Sequence, residues 1–182
     1  MSENKLVLLC AGLWLLVKVV LKYTVPLDQN VMVGVLMNLF FILLIAVLSI
    51  RKHVIATPKS ESHLLDDMRS TARPVLKYAV LAALLIGLYN YVIAAEETAQ
   101  HEQAFREQLH EQYSNVESYK EFQLANPAFM DVPAEEAEAS ALESFEKFNH
   151  PFAQTTVSLM ALVLAGLLYA GVTAVIWRKL LG

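Results

Sequence analysis

The fold is decided by Val31–Ile50, VMVGVLMNLFFILLIAVLSI, a run of 20 residues without a formal charge. The hydrocarbon core of a bilayer is about 30 Å thick and is crossed by roughly 17–25 helical residues. The run ends abruptly at Arg51, Lys52 and His53, as expected where a helix leaves the hydrocarbon for the headgroups. It therefore predicts a membrane-spanning helix.

Three more runs are long and apolar enough to span: Leu6 to about Leu27, Pro74–Ala95 and Thr155–Trp177. Lys18 and Lys22 interrupt the first, and we expect their flexible stems to carry the ammonium groups to the headgroups. No small-x-small cleavage site follows, so we expect an uncleaved helix. Pro74 is expected in the first turn of its helix, where a missing amide is harmless. With 56% apolar and 18% charged residues, the sequence predicts an all-α integral membrane protein with four transmembrane helices.

Charge is distributed unequally along the chain. Residues 95–150 carry 13 acidic and 3 basic side chains, net −10, whereas the remainder has a net charge of +6. The acidic segment would repel phosphate, which argues against nucleic-acid binding. Nine of the 14 bases fall on one predicted side of the membrane, so we expect a multi-pass protein of the bacterial inner membrane with both termini in the cytoplasm. These bases are Lys5, Arg51, Lys52, Lys59, Arg69, Arg73, Lys77, Arg178 and Lys179.

The acidic segment itself predicts an extracytoplasmic helical hairpin between the third and fourth transmembrane helices. Strong helix formers fill Glu96–Ser114, and two proline-containing breaks precede a second helix at about Pro133–Asn149. One side of each helix is apolar, so the two stripes can face each other. The stripe residues, which we also predict as an interaction surface, are Phe105, Leu109, Tyr113, Phe145 and Phe148.

The chain thus divides into three parts. Residues 1–95 hold the first three spans with a cytoplasmic loop over residues 51–73, residues 96–150 form the acidic hairpin, and residues 151–182 form the fourth span with a short basic tail. Within the loop, Leu64, Leu65 and Met68 form either an amphipathic turn along the membrane surface or part of a solvated loop.

Candidate catalytic and metal-ligating residues are sparse. His101 and His110 are each followed by Glu, but neither has a second His four residues later, so the zinc-protease motif is missing. Glu97 and His101 with Glu138 or Glu143 offer a conceivable cation site, although solvated histidines are the favoured interpretation. The single cysteine, Cys10, excludes an intramolecular disulfide. The sequence has no phosphate-binding Gly-rich loop and no nucleophile elbow, and it predicts no enzyme, cofactor or metal.

Two kinds of residue within the spans point to helix packing. Asn38 and Asn90 carry amides that seek partners across helices; a polar transport path around them is the alternative interpretation. Small residues recur every four positions on the third and fourth spans, which we expect to pack against each other or against another copy. These small residues are Ala79, Ala83, Gly87, Gly166, Ala170 and Ala174.

Four stretches of the chain carry a resemblance to a known family: LKYAVLAAL at residues 76–84 leading into YNY at 89–91, the Glu- and Gln-rich stretch 101–112, FEKFNHPF at 145–152 and VTAVIWRK at 172–179. With their order along the chain, they resemble the bacterial membrane-protein family called domain of unknown function 4199, of the Bacteroidetes. The resemblance covers nearly the whole chain and implies the same architecture. It implies no activity and no catalytic residue.

These observations predict a structural or protein-interaction role, with the hairpin as contact surface and the spans as anchor. The expected partners are membrane lipids, a second copy of the chain or another membrane protein. A small transporter or channel component is the alternative function, and a metal-dependent membrane enzyme is a weaker one.

Overall fold

The computed structural model describes residues 2–57 and 63–181, and within them the chain is helical without strands. Lys59, one of the nine bases counted above, and the rest of residues 58–62 lie outside the described residues. A π-helical turn, Tyr89–Ile93, follows the third helix, and a short 3-10 turn, Pro127–Phe129, follows the fifth. The helices are α1 (Glu3–Lys22), α2 (Leu27–Ala56), α3 (Leu64–Leu88), α4 (Ala95–Ser114), α5 (Val116–Ala125), α6 (Ala134–Asn149) and α7 (Pro151–Leu181).

Four of the helical segments are long and apolar enough to cross a membrane. The predicted all-α class and the four predicted spans are therefore confirmed by length and composition. The segments are Glu3–Lys22, Gln29–Ala56, Leu64–Ile93 and Pro151–Lys179.

The ends of the predicted spans need correction. α1 stops at Lys22 rather than near Leu27, and α2 runs on through the basic residues 51–53 to Ala56. α3 begins at Leu64, so Pro74 lies inside the helix rather than in its first turn, and most of the predicted cytoplasmic loop is helical. A helix satisfies its own backbone hydrogen bonds and need not end where the hydrocarbon ends. Pro74 is buried, and packing keeps the helix continuous although one backbone hydrogen bond is lost.

The chain divides into two compact units, whose boundaries lie a few residues from those predicted at 95 and 150. The first, which we call the spanning unit, consists of the residues up to Tyr89 and from Thr155 onward; the second, which we call the acidic unit, consists of Asn90–Gln154. Each has its own buried side chains.

Within the spanning unit, α1, α2 and α3 pack on one another in an up-and-down arrangement. The start of α1 meets the end of α2 through an ion pair between Glu3 and Lys52, 3.3 Å apart. It also meets α3, because Lys77 donates to the side chain of Asn4. Side chains without exposed surface, Ile42, Ile45 and Val75 among them, fill the interior. The basic ends of these helices therefore gather at one end of the unit, which we call the basic end.

α7 lies antiparallel to α3 and approaches it at small residues. A Cβ at Gly166 would lie 2.5 Å from Val75 Cγ1, and one at Gly87 would lie 2.8 Å from the hydroxyl of Thr155. The predicted small-residue faces are otherwise buried at Ala79, Ala83, Ala170 and Ala174. Glycine permits this close approach because it has no Cβ.

The acidic unit holds one more helix than the predicted hairpin. α4 and α6 have the predicted bounds within one residue, but α5 and a 3-10 turn occupy the predicted connection. Asn115 begins α5, because its side-chain oxygen accepts from the backbone N–H groups of Glu117 and Ser118 and caps the helix. At the start of α6, Glu135 and Glu136 lie in the first turn, where the helix dipole favours carboxylates.

Candidate functional site

A buried lysine ties α1, α2 and α3 together at the end of the spanning unit opposite the basic end. The side chain of Lys18 is 3% exposed, and its Nζ donates to the backbone oxygen of Asn30 at 3.1 Å. Its ammonium also lies over the rings of Tyr89, at 4.5 Å, and Trp14, at 5.9 Å. Ring faces attract a cation most strongly where water is excluded. The expectation that Lys18 extends to the headgroups is therefore wrong.

Hydrogen bonds fix the partners of Lys18. Asn30 Nδ2 donates to the hydroxyl of Tyr89 at 2.8 Å, and that hydroxyl donates to the backbone oxygen of Lys18 at 3.2 Å. The indole of Trp14 donates to the backbone oxygen of Gly34. A Cβ at Gly34 would lie 3.0 Å from Lys18 Cδ, so the glycine leaves room for the lysine stem. We call Trp14, Lys18, Asn30 and Tyr89 the lysine cluster.

A second polar contact crosses the middle of the spanning unit. Asn38 is 3% exposed, and its Oδ1 accepts from the hydroxyl of Tyr78 at 2.7 Å. The amide thus has a partner across helices, as expected for a residue that holds α2 to α3.

A buried carboxylate joins three helices at the basic end. Asp67 of α3 is 1% exposed; its Oδ2 lies 2.7 Å from Nε of Arg178 on α7, and its Oδ1 lies 3.3 Å from Nε2 of His53 on α2. Thr71 donates to the backbone oxygen of Asp67 one turn away. Pairing with a guanidinium offsets the cost of burying a carboxylate. We call His53, Asp67 and Arg178 the carboxylate cluster.

Apolar side chains separate these polar groups along the interior. Between the Asn38–Tyr78 contact and the carboxylate cluster lie Ile42, Ile45 and Val75, each with no exposed surface. A conducted ion or proton needs polar groups or water along its path. The arrangement of described residues is that of a packed bundle with polar ties at three depths.

Asn90, the other predicted intramembrane amide, belongs to the acidic unit. Its Nδ2 donates to Gln154 Oε1 at 3.5 Å, and its backbone oxygen accepts from Thr98. Its neighbour Tyr91 donates to the backbone oxygen of Asn149 at 2.7 Å. These contacts join the first and last residues of the unit.

The apolar stripes of the acidic unit pack against its own helices. Phe105 of α4 stacks on Phe145 of α6 with ring centroids 4.3 Å apart. Tyr113 is buried with Tyr119 of α5, and Leu109 packs against this pair. Of the five residues predicted as an interaction surface, these four serve folding, whereas Phe148 is 70% exposed.

Burial also affects the ionisation of this small core. It raises the pKa of Tyr113, and the nearby Tyr119 and Glu138 raise it further, because a phenolate would lie in an apolar and negatively charged setting. At the surface, a hydrogen bond from Lys147 lowers the pKa of Glu143.

The outer faces of α4 and α6 carry uncompensated negative charge. Ion pairs join Arg106 to Glu146 and Lys147 to Glu143, and His110 Nδ1 lies 2.9 Å from Glu138 Oε1. A shallow cleft lies beside the contact between His110 and Glu138. It is lined by acidic, basic and apolar side chains: Arg106, Glu107, His110, Glu111, Glu138 and Leu142. With 13 acids and 3 bases, residues 95–150 carry ten more acidic than basic side chains.

The conceivable cation site is not assembled as proposed. Glu138 contacts His110 rather than His101, and Glu143 pairs with Lys147. Among the described residues, no group of three or more His, Cys, Asp or Glu side chains lies close enough to hold a metal ion.

The lysine cluster and the carboxylate cluster were not predicted from sequence patterns. Tyr89 lies near the end of the third predicted span, and Asp67 lies within the predicted loop 51–73. The available signal for Asp67 is its place between Asp66 and Met68, a setting shared by many exposed acids.

Comparisons with protein-family models, curated proteins and solved structures found no match to the chain. The family resemblance described above therefore stays a prediction.

Proposed function

We propose that this protein is a membrane-anchored interaction protein, in which the spanning unit is the anchor and the acidic unit binds a partner with a basic surface. The observation that carries the proposal is the excess of ten acidic over basic side chains in residues 95–150, whereas four of the five residues of the predicted interaction surface pack against the unit's own helices. Such a surface attracts a positively charged partner and speeds its association.

The anchor role is supported by the interior of the spanning unit. The lysine cluster, the Asn38–Tyr78 contact and the carboxylate cluster tie the helices together at three depths. The fully buried Ile42, Ile45 and Val75 lie where a transport path would need polar groups. This packing favours an anchor over the alternative of a transporter or channel component.

The orientation of the chain, its membrane and its activity are part of this proposal. The excess of bases at the basic end supports an orientation with that end in the cytoplasm and the acidic unit outside, in the inner membrane of a bacterium. The proposed activity is binding, without an enzymatic reaction. Membership of the resembled family is part of the same proposal.

Site-specific photo-crosslinking tests the proposal. A photoreactive residue at Gln108, exposed on α4, is expected to form a discrete adduct with a protein in intact membranes. Replacing the neighbouring exposed acids Glu107 and Glu111 by Gln is expected to weaken the adduct, and so is raising the salt concentration to about 0.5 M, because screening shortens the range of surface charge.

The matched control places the same photoreactive residue at Leu164, which is 65% exposed on α7 and expected to face lipid. Absence of an adduct at Gln108, or an adduct that neither salt nor the two Gln substitutions weaken, would contradict an electrostatic docking surface.

A further inference from the structure

The outer face of α3 has a cationic part and an aliphatic part. Arg69, Arg73 and Lys77 are exposed at four-residue spacing, so they lie above one another on one side of the helix. The same side continues into exposed aliphatic residues: Val80, Leu84 and Leu88, which are 49%, 60% and 44% exposed. This face is thus charged at one end and aliphatic along the rest, in the same order as the headgroup and acyl chain of a phospholipid.

The cationic part lacks a carboxylate partner among the described residues. Lys77 donates to the neutral amide of Asn4 at 2.9 Å, and no ion pair within 4 Å engages Arg69 or Arg73 there. Asp66 is the exposed acid near this face, and Asp67 is already held by the carboxylate cluster. The three bases are therefore available to an external anion.

The length of α3 places the charges at headgroup level. Together with the π-helical turn it forms the 30-residue segment Leu64–Ile93, which at about 1.5 Å per residue extends roughly 45 Å and exceeds a hydrocarbon core of about 30 Å by about 15 Å. With Ile93 at the far interface, the first ten or so residues of α3 extend beyond the core. Arg69 and Arg73 then lie among the headgroups, and the stem of Lys77 reaches them from one turn deeper.

The aliphatic part has the depth of one leaflet. From Pro74, where the core begins, to Leu84 the helix rises by about 15 Å, half of the roughly 30 Å core. An acyl chain whose headgroup contacts the bases would therefore lie along Val80 and Leu84, with Leu88 at its end.

We propose that this face of α3 is a binding site for an anionic phospholipid. The lipid phosphate contacts Arg69, Arg73 and Lys77, and one acyl chain packs along the aliphatic part. Guanidinium groups suit this role because their planar donors pair with phosphate oxygens. The site is independent of the acidic unit and of its partner.

Lipid retention by the full-length protein in detergent micelles tests the site. Native mass spectrometry after addition of phosphatidylglycerol or phosphatidylcholine, at equal concentrations, is expected to show preferential retention of phosphatidylglycerol. In the triple variant Arg69→Gln/Arg73→Gln/Lys77→Gln we expect that preference to fall about 10- to 100-fold, since each base near a membrane surface contributes to attraction of anionic lipid.

The matched control is Lys5→Gln/Arg51→Gln/Lys179→Gln, which removes three exposed bases of the same end from other helices and is expected to keep the preference. If the triple variant does not fold, Arg73→Gln alone is expected to lower the preference several-fold. The proposal is overturned if the variant with altered α3 retains the wild-type preference, if the control loses it equally, or if inorganic phosphate displaces the lipid at matching concentration.

Discussion

The carboxylate of Asp67 on α3 is paired with the guanidinium of Arg178 on α7 at 2.7 Å, and 111 residues separate the two along the chain. This contact joins the last spanning helix to the first three at the basic end. His53 of α2 faces the other carboxylate oxygen. One buried acid on α3 thus contacts side chains of two other helices.

Replacing Asp67 by Asn is expected to lower the free energy of unfolding by about 1–3 kcal/mol. The substitution removes the partner of a guanidinium that is itself 39% exposed, so the loss is smaller than for a wholly buried pair. Titration with SDS in mixed micelles measures it. Asp66→Asn, at the exposed neighbouring position, is the control and should change stability by less than about 0.5 kcal/mol; equal losses in both variants would argue against the pairing.

The approach of α7 to α3 predicts intolerance of a single methyl group. Gly166→Ala places a Cβ 2.5 Å from Val75 Cγ1, and overpacking of this kind costs about 1–3 kcal/mol. Val75→Ala in the same chain is expected to restore part of the loss. Gly12 on α1 has nothing within 4 Å of its Cβ position, so Gly12→Ala should not destabilise. Thermal unfolding in detergent compares the variants, and a neutral Gly166→Ala would mean that the helices are farther apart.

The lysine cluster predicts a measurable role for one hydroxyl group. Tyr89→Phe keeps the ring beneath the Lys18 ammonium but removes the hydroxyl that accepts from Asn30. We expect a loss of about 0.5–2 kcal/mol, measured as above. Tyr23→Phe, at a position 79% exposed, is the control, and a Tyr89→Phe variant as stable as this control would contradict the hydrogen-bonded arrangement.

The spans themselves were predictable because a charge-free run such as Val31–Ile50 has few other structural options. The ends of the spans were not predictable, since the basic residues 51–53 do not end the helix, which continues to Ala56. The position of Lys18 was mispredicted because its location depends on Tyr89, 71 residues away. A pattern of neighbouring residues carries no information about a contact so far along the chain. Lys22, four residues after Lys18, lies in a similar local sequence but is more exposed than Lys18.

In the acidic unit, the apolar stripes of α4 and α6 were predictable from the spacing of their residues. Whether the stripes pack inside the unit or bind a partner was not predictable. A stripe that packs inside a unit and a stripe that binds a partner have the same periodicity. α5 was missed because it is only ten residues long, and its capping residue, Asn115, is also typical of a turn.

Substitution of the stacked phenylalanines tests whether the apolar stripes of α4 and α6 hold the acidic unit together. Phe105→Ala removes a ring stacked on Phe145 and is expected to lower the stability of the acidic unit by about 2–4 kcal/mol. Phe148→Ala, at a position 70% exposed, should cost less than about 0.5 kcal/mol. Hydrogen exchange of α4 and α6 in the full chain reports both. Equal protection in the two variants would mean that the stack does not hold the unit together.

A topology measurement checks whether the chain crosses the membrane four times with the acidic unit outside. Cys10 is replaced by Ser, and single cysteines are introduced by the matched substitutions Ala56→Cys, at the end of α2, and Ala139→Cys, on α6, both at exposed positions. A membrane-impermeant thiol reagent is then added to cells whose outer membrane is permeabilised. Ala139→Cys is expected to be labelled in such cells, and Ala56→Cys only after the inner membrane is broken. Labelling of Ala56→Cys in intact inner membranes, alone or together with Ala139→Cys, would contradict four spans with the acidic unit outside.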